Sequence, residues 1–385
     1  MIPYGRQHIS DADVESVIAV LRSDFLTQGP AVPAFEEAVC RYTGATQAVA
    51  VNSATSALHI ACLALGLGPG DLLWTSPNTF VASANCARYC GADVDFVDID
   101  PATWNLSVPA LEAKLLRAQA AGRLPKVVLP VAFAGQSCDM RAIAALARRF
   151  EFRVIEDASH AIGARYLDEP VGSGRYADIT IFSFHPVKII TTAEGGLAAT
   201  NDAALADAMR LLRSHGITRD AQKFTGANEG GWYYQQVDLG FNYRMTELQA
   251  ALGSSQLKRV DEFVRRRHAL AARYDSLLAS LTLTRPAQSP DSYSALHLYP
   301  VVVGDASRRR AVYDSLRAAG VGINVHYIPV HLQPYYRGLG FAPGAFPNAE
   351  TYYAGALSLP LYFDLTDAQQ DTVVAALRAA LGRTS

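Results

Sequence analysis

The chain has 385 residues, half of them hydrophobic, and its 36 acidic and 34 basic side chains leave a formal net charge of −2. That length supports a large core and two or more domains, while the balanced charge removes the basic field that nucleic-acid binding needs. Five cysteines without a Cys-x-x-Cys pair argue against a disulfide framework or a zinc site and for a reducing compartment. Cys86 and Cys90, four apart in an expected helix, read as core thiols. Residues 1–6 are polar and lack an apolar signal core, and the apolar run 57–70 is too short to span a bilayer. A soluble, cytoplasmic protein is expected, with no membrane partner.

Ser10 and Asp13 have the spacing of a capping box and open a helix running to about residue 23. Residues 33–42 continue helically. Strands and helices then alternate. Strands are expected over 48–51, 72–75, 94–97, 127–131, 153–157 and 179–182, and helices over 55–65, 80–89, 109–121 and 141–150. Continuous apolar runs such as Val127-Val128-Leu129 suit strands covered on both faces. The order predicts an α/β sandwich with a mixed, mostly parallel sheet between helices. Residues 217–240 are polar, aromatic and glycine-rich, and form a long loop of functional type, a lid or a subunit contact. A long helix is expected over 246–278, then a polar connection over 286–294. The remainder reads as a smaller α+β domain, with strands near 298–303 and 323–327 and helices near 308–319 and 366–381. The expected division is therefore 1–245, a large domain with an N-terminal arm, and 246–385. Gly66, Gly68 and Gly70 follow a helix rather than a strand, so with Gly172 and Gly174 they read as turns and not as a dinucleotide site.

The segment Ser183-Phe184-His185-Pro186-Val187-Lys188-Ile189-Ile190-Thr191-Thr192-Ala193-Glu194-Gly195-Gly196 carries the chemistry. Lys188 stands just beyond an apolar strand, among apolar and small neighbours whose packing would lower its pKa. Such an amine can join an aldehyde, and can later carry a proton between carbons. Asp157 ends the preceding strand, where α/β proteins bind ligands. A carboxylate there can keep a pyridine nitrogen protonated, or simply cap the following segment. Together they point to pyridoxal 5'-phosphate (PLP). His160 would bond the cofactor's ring oxygen or serve structure. Ala54, Thr55 and Ser56 open a helix whose free N–H groups and hydroxyls suit a phosphate, with Ser183 as a third hydroxyl. Phe80 would stack on the pyridine ring or sit in the core. Asn242 and Arg244 are polar groups at an expected helix start.

With those residues in place, the chain resembles the DegT/DnrJ/EryC1/StrS sugar aminotransferases. The likeness runs through Leu26-Thr27-Gln28-Gly29-Pro30, residues 52–58, 156–160 and 183–196, Asn242-Tyr243-Arg244-Met245 and His326-Tyr327-Ile328-Pro329. It implies the fold-type I, aspartate aminotransferase-like architecture and a homodimer with sites shared across the interface. By the same likeness, Asn242 would reach the phosphate of the partner's cofactor. Tyr4, Leu26, Thr27, Gln28, Gly29, His326, Tyr327, Ile328 and Pro329 would line a nucleotide-sugar cleft, together with Thr55, His185 and Asn242, and Arg213, His215, Arg244 and His326 are the candidates to meet the diphosphate it implies. Relatives that are 3-dehydratases carry histidine in place of the lysine, so Lys188 favours transamination. Within the family the likeness is to the pseudaminic acid branch, although Ile189 stands where relatives often carry Asn or Pro. That branch implies amino transfer from L-glutamate to C4 of a UDP-linked 4-keto-6-deoxy-hexose. Sibling enzymes for perosamine, viosamine or 4-amino-arabinose, a lyase or decarboxylase on the same fold, and a non-enzymatic PLP-binding sensor are the competing readings.

Overall fold

The computed structural model describes residues 1–382. The alternating segments build one seven-stranded sheet. Its strands are β1 (Gln47–Val51), β2 (Leu72–Thr75), β3 (Asp93–Phe96), β4 (Val127–Leu129), β5 (Arg153–Asp157), β6 (Ile179–Ser183) and β7 (Gly196–Thr200). They lie in the order β1-β7-β6-β5-β4-β2-β3. Strands β6, β5, β4, β2 and β3 are parallel, and β7 runs antiparallel to both of its neighbours. Strands β4, β6 and β7 are buried throughout, as a sheet covered on both faces requires.

The helices of eight residues or more are α1 (Asp11–Leu21), α2 (Ala31–Thr43), α3 (Ala54–Ala64), α4 (Ala82–Tyr89), α5 (Val108–Ala120), α6 (Met140–Phe150), α7 (Ala203–Leu212), α8 (Glu247–Leu257), α9 (Val260–Leu277), α10 (Arg309–Ala318), α11 (Pro347–Gly355) and α12 (Asp367–Gly382). Alternation along β2 sends Leu73 into a core with α3, α4 and α7, and Trp74 into another with α5 and α6. The capping box at α1 forms as read: Asp13 Oδ2 accepts the Ser10 N–H at 2.9 Å, and Ser10 Oγ accepts the Asp13 N–H at 3.4 Å. Cys86 and Cys90 are buried free thiols.

A second, antiparallel sheet of β8 (Leu283–Thr284), β9 (Tyr299–Val303) and β10 (Ala356–Leu359) shares its own core with α9, α10 and α12. Two features cross the expected division at residue 245. The N-terminal arm joins the C-terminal layer, for Ile2 bridges Val321 and the Leu361 N–H donates to the Tyr4 carbonyl at 3.0 Å. Helix α8 stays with α1 and α2.

Three expectations need correction. The helix over 246–278 is two helices, broken at Lys258 and Arg259: α8 packs in a core of the large sheet, and α9 begins in that same core with Val260, Phe263 and Val264 and reaches the small sheet's core with Leu270, Ala271 and Tyr274. Residues 323–327 are not a strand: Asn324 makes a single bridge to Ser358, and the His326–Tyr327 peptide is cis. Residues 241–245 do not begin a helix. They run extended, bridging Ser214 through Asn242 and Val51 through Arg244, and Thr246 caps α8.

Candidate active site

The carboxyl ends of β2, β5 and β6, the start of α3, the N-terminal arm and the 324–327 segment enclose a cavity of about 540 Å³. It lies where parallel strands of an open α/β sheet present ligand sites. Lys188 enters from the loop after β6 and lines this cavity. Among the described residues its ammonium has no hydrogen bond or ion pair. Burial pushes its pKa down to about 8, against the opposing pull of Asp157.

Asp157, at the end of β5, is 5% exposed. Its Oδ2 accepts from Ser83 Oγ at 2.7 Å and its Oδ1 from the Ser159 N–H at 3.1 Å. Thr79 Oγ1 lies 2.8 Å from Ser83 Oγ. The carboxylate is therefore fixed from α4 and from its own turn. His160 lies 3.1 Å, through Nε2, from the Tyr327 hydroxyl, while its Nδ1 is buried without a partner among the described residues. Burial, then Lys188 and His326, hold it neutral. His326 bonds Ser358 Oγ through Nδ1 at 2.8 Å, and burial pushes its pKa down to about 3. Burial raises the Tyr327 phenol, with Asp157 adding to the effect.

The start of α3 fits an anion. Ser53 caps it, accepting the Ser56 N–H at 3.1 Å, and Ala54 and Thr55 face the cavity. Gly196 of β7 passes directly beneath. A Cβ there would collide with the Ala54 nitrogen and the Ser53 carbonyl carbon, so only glycine lets the sheet approach this turn.

Of the residues singled out by sequence, the structure brings together Tyr4, Ala54, Thr55, Phe80, Asp157, His160, Ser183, His185, Lys188, His326 and Tyr327. Phe80 is 59% exposed at the cavity rim, not in the core. Ser56 lies outside the lining, with its hydroxyl donating to Asn52 Oδ1 at 2.7 Å. Asn242 and Ile328 are exposed and Pro329 is buried, and all three lie outside their own chain's cavity. Leu26, Thr27, Gln28 and Gly29 also lie outside it, beside Glu247, whose N–H donates to the Leu26 carbonyl at 3.1 Å. Arg213 is paired with Glu36 and donates to the Ala50 carbonyl, and neither it nor His215 and Arg244 reaches the cavity. Sequence reading missed Ser83, Ser159 and His297. The only signal for Ser83 was a serine one turn beyond Thr79 in the expected helix.

A lone amine beside a carboxylate held by hydroxyl and amide, under a helix start, fits a group with an aldehyde, a basic ring nitrogen and a phosphate. This fold and site define a pyridoxal phosphate enzyme. Over residues 7–378 the sequence matches the model of the DegT/DnrJ/EryC1/StrS aminotransferase family, and the chain belongs to that family. It is 40% identical over 383 residues to the spore coat polysaccharide biosynthesis protein SpsC of Bacillus subtilis, covering 98% of this chain and 96% of that one. It is 37% identical over 385 residues to the UDP-4-amino-4,6-dideoxy-N-acetyl-β-L-altrosamine transaminase of Campylobacter jejuni, covering 98% of each. Among solved structures, the PMP form of Spr1654 from Streptococcus pneumoniae superposes with a TM-score of 0.90 at 31% identity, covering 99% of both chains. The protein is a sugar aminotransferase and its cofactor is pyridoxal phosphate. No helix among the described residues is long and apolar enough to cross a membrane.

Proposed function

We propose that the chain moves the amino group of L-glutamate to C4 of a UDP-linked 4-keto-6-deoxy-hexose, UDP-2-acetamido-2,6-dideoxy-β-L-arabino-hex-4-ulose. The full-length likeness to the Campylobacter jejuni altrosamine transaminase carries the choice of sugar. The unpartnered Lys188 amine opposite Asp157 supports the transfer itself. Bound pyridoxal phosphate supplies an aldehyde that takes up amines and a ring that accepts electrons from a deprotonated carbon. Lys188 would anchor that aldehyde, and its free amine would move a proton between the donor's α-carbon and the cofactor's C4′ carbon. Asp157 holds the pyridine proton, and Ser83 keeps the carboxylate aimed. Thr55, Ser183 and the N–H groups at the start of α3 hold the phosphate. Phe80 and His160 bound the ring, while Tyr4, His185, His326 and Tyr327 face the sugar. A second copy of the chain would bring Asn242 to the phosphate, and its 26–29 and 328–329 segments to the cleft.

The 40% identity to SpsC favours a second reading, a sibling nucleotide-sugar aminotransferase with another keto sugar. Mass spectrometry of products from UDP-, GDP- and dTDP-linked 4-keto sugars with ¹⁵N-glutamate separates the two. Labelled amine in the altrosamine product alone is expected. Transfer only to a GDP- or dTDP-linked sugar overturns the first reading.

A further inference from the structure

No arginine lines the cavity among the described residues, yet the proposed donor brings two carboxylates. Three buried imidazoles line it. His160 is engaged with Tyr327 and His326 with Ser358. His297 is 4% exposed; among the described residues its ring makes no hydrogen bond, and its Nδ1 is buried without a partner. Its ring centroid lies 4.4 Å from that of His160.

Its position is built deliberately. Gly135 has φ +104°, and a Cβ there would stand 2.8 Å from the Leu296 nitrogen and 3.0 Å from both the His160 carbonyl and the His297 nitrogen. Glycine thus lets the chain at 135 fit between the 296–297 backbone and the His160 carbonyl. Behind this segment lies Arg267 of α9, 2% exposed. Its Nη1 donates to the carbonyls of Leu361 at 2.9 Å, His297 at 3.1 Å and Leu296 at 3.3 Å. It has no carboxylate partner among the described residues, and its Nε has no partner. A buried cation without a counter-charge is costly, and a ligand's carboxylate would supply the missing charge. Burial, with His160, Lys188 and Arg267 adding, keeps His297 neutral, so it offers an N–H without extra charge.

We propose that His297 is the residue that binds a carboxylate of the amino donor, an α-amino dicarboxylate, with Arg267 as the positioning residue behind it. This assignment rests on the aminotransferase reading with a glutamate donor. Calorimetry with glutarate, a dicarboxylate that cannot react, measures the contact in cofactor-loaded protein. Loss of the visible cofactor band on mixing with L-glutamate measures the donor half-reaction. His297→Phe is expected to keep the resting band and the cofactor affinity. It should raise the glutarate Kd and the glutamate half-saturation about ten- to a hundredfold, the loss of one hydrogen bond to a charged group. His297→Gln, which retains an N–H donor, should recover most of that. His297→Leu, which has no N–H donor on its side chain, should behave like the phenylalanine variant and serves if that one does not fold. Unchanged glutarate and glutamate constants in both loss variants overturn the assignment. So does a parallel loss of cofactor affinity and band position, which marks His297 as packing for His160. A wild-type band that ignores L-glutamate sinks the donor reading instead, and this assignment falls with it.

Discussion

Lys188 sits in the cavity wall with its amine driven toward the free base by burial, and two outcomes follow at the scale of single residues. The first is covalent. Lys188→Ala should lose both turnover and the visible band of bound cofactor, and borohydride should fix no pyridoxyl group on the variant; a retained band would overturn the assignment. The second is a linkage. The folded-state pKa of about 8 lies below the ordinary 10.5, so between those values the unfolded chain binds more protons than the folded one. Stability carried by this group must therefore rise with pH across that window. Cofactor-free wild type should gain on Lys188→Met in denaturant midpoint from pH 8 to pH 10.5, whereas a constant gap would contradict the burial. Ser83→Ala removes the 2.7 Å donor to Asp157 and should cut kcat about tenfold or more while leaving cofactor bound. A kcat near normal would show that Asp157 needs no such support. Lys188 and Asp157 were legible because each follows its own apolar strand within a few residues. Ser83 and His297 were not, because their roles come from chain segments 74 and 137 positions from Asp157 and His160. A lone serine or histidine in sequence carries no sign of such an encounter.

At the scale of elements, the start of α3 depends on a strand that arrives from far along the chain. Gly196→Ala should displace the Ser53–Ala54 turn and weaken cofactor affinity about tenfold or more, since a clash with backbone costs ~1–3 kcal/mol. Gly68→Ala, with open space around it and no positive φ, is the control and should leave affinity unchanged. Fluorescence or absorbance titration with pyridoxal phosphate reads both, and equal affinities would show that the turn is free to shift. The same strand explains what sequence could not reveal. β5 and β6 announce themselves as branched apolar runs, and α1 by its cap. Gly-Leu-Ala-Ala-Thr has little intrinsic preference for a strand, and β7 exists because β1 and β6 flank it. The α8–α9 break has no glycine or proline at Lys258 and Arg259 to mark it. Ala250 and Leu257 of α8 share one core with Val260, Phe263 and Val264 of α9, which passes to the small sheet's core only from Leu270, and a one-dimensional pattern cannot show such packing.

At the scale of the whole molecule, the single chain leaves features that a second copy would complete. Helix α1 buries Asp13, while Val14, Ile18 and Leu21, spaced to share one face, are 47%, 37% and 55% exposed. Trp232 and Leu239 in the 217–240 loop are 73% and 75% exposed, and Asn242 lies outside its own cavity. If Asn242 of one copy serves the Lys188 of the other, the two roles can be damaged on different chains and rescued by mixing. Lys188→Ala alone should be inactive and Asn242→Ala severely weakened. Dissociated and reassembled together at equal amounts, about half of the pairs are mixed, and each mixed pair holds one site with both residues intact. Activity should therefore return to about a quarter of wild type per site, and the mixed species should run as a dimer by light scattering. Recovery no greater than the sum of the separate variants would mean that each chain completes its own site, and Asn242 would lose its role toward the cofactor's phosphate. Ile18→Glu supplies the matching control. A charge on the exposed face of α1 should shift the protein toward monomer and lower activity as a function of protein concentration, because a site shared between chains is lost by dilution.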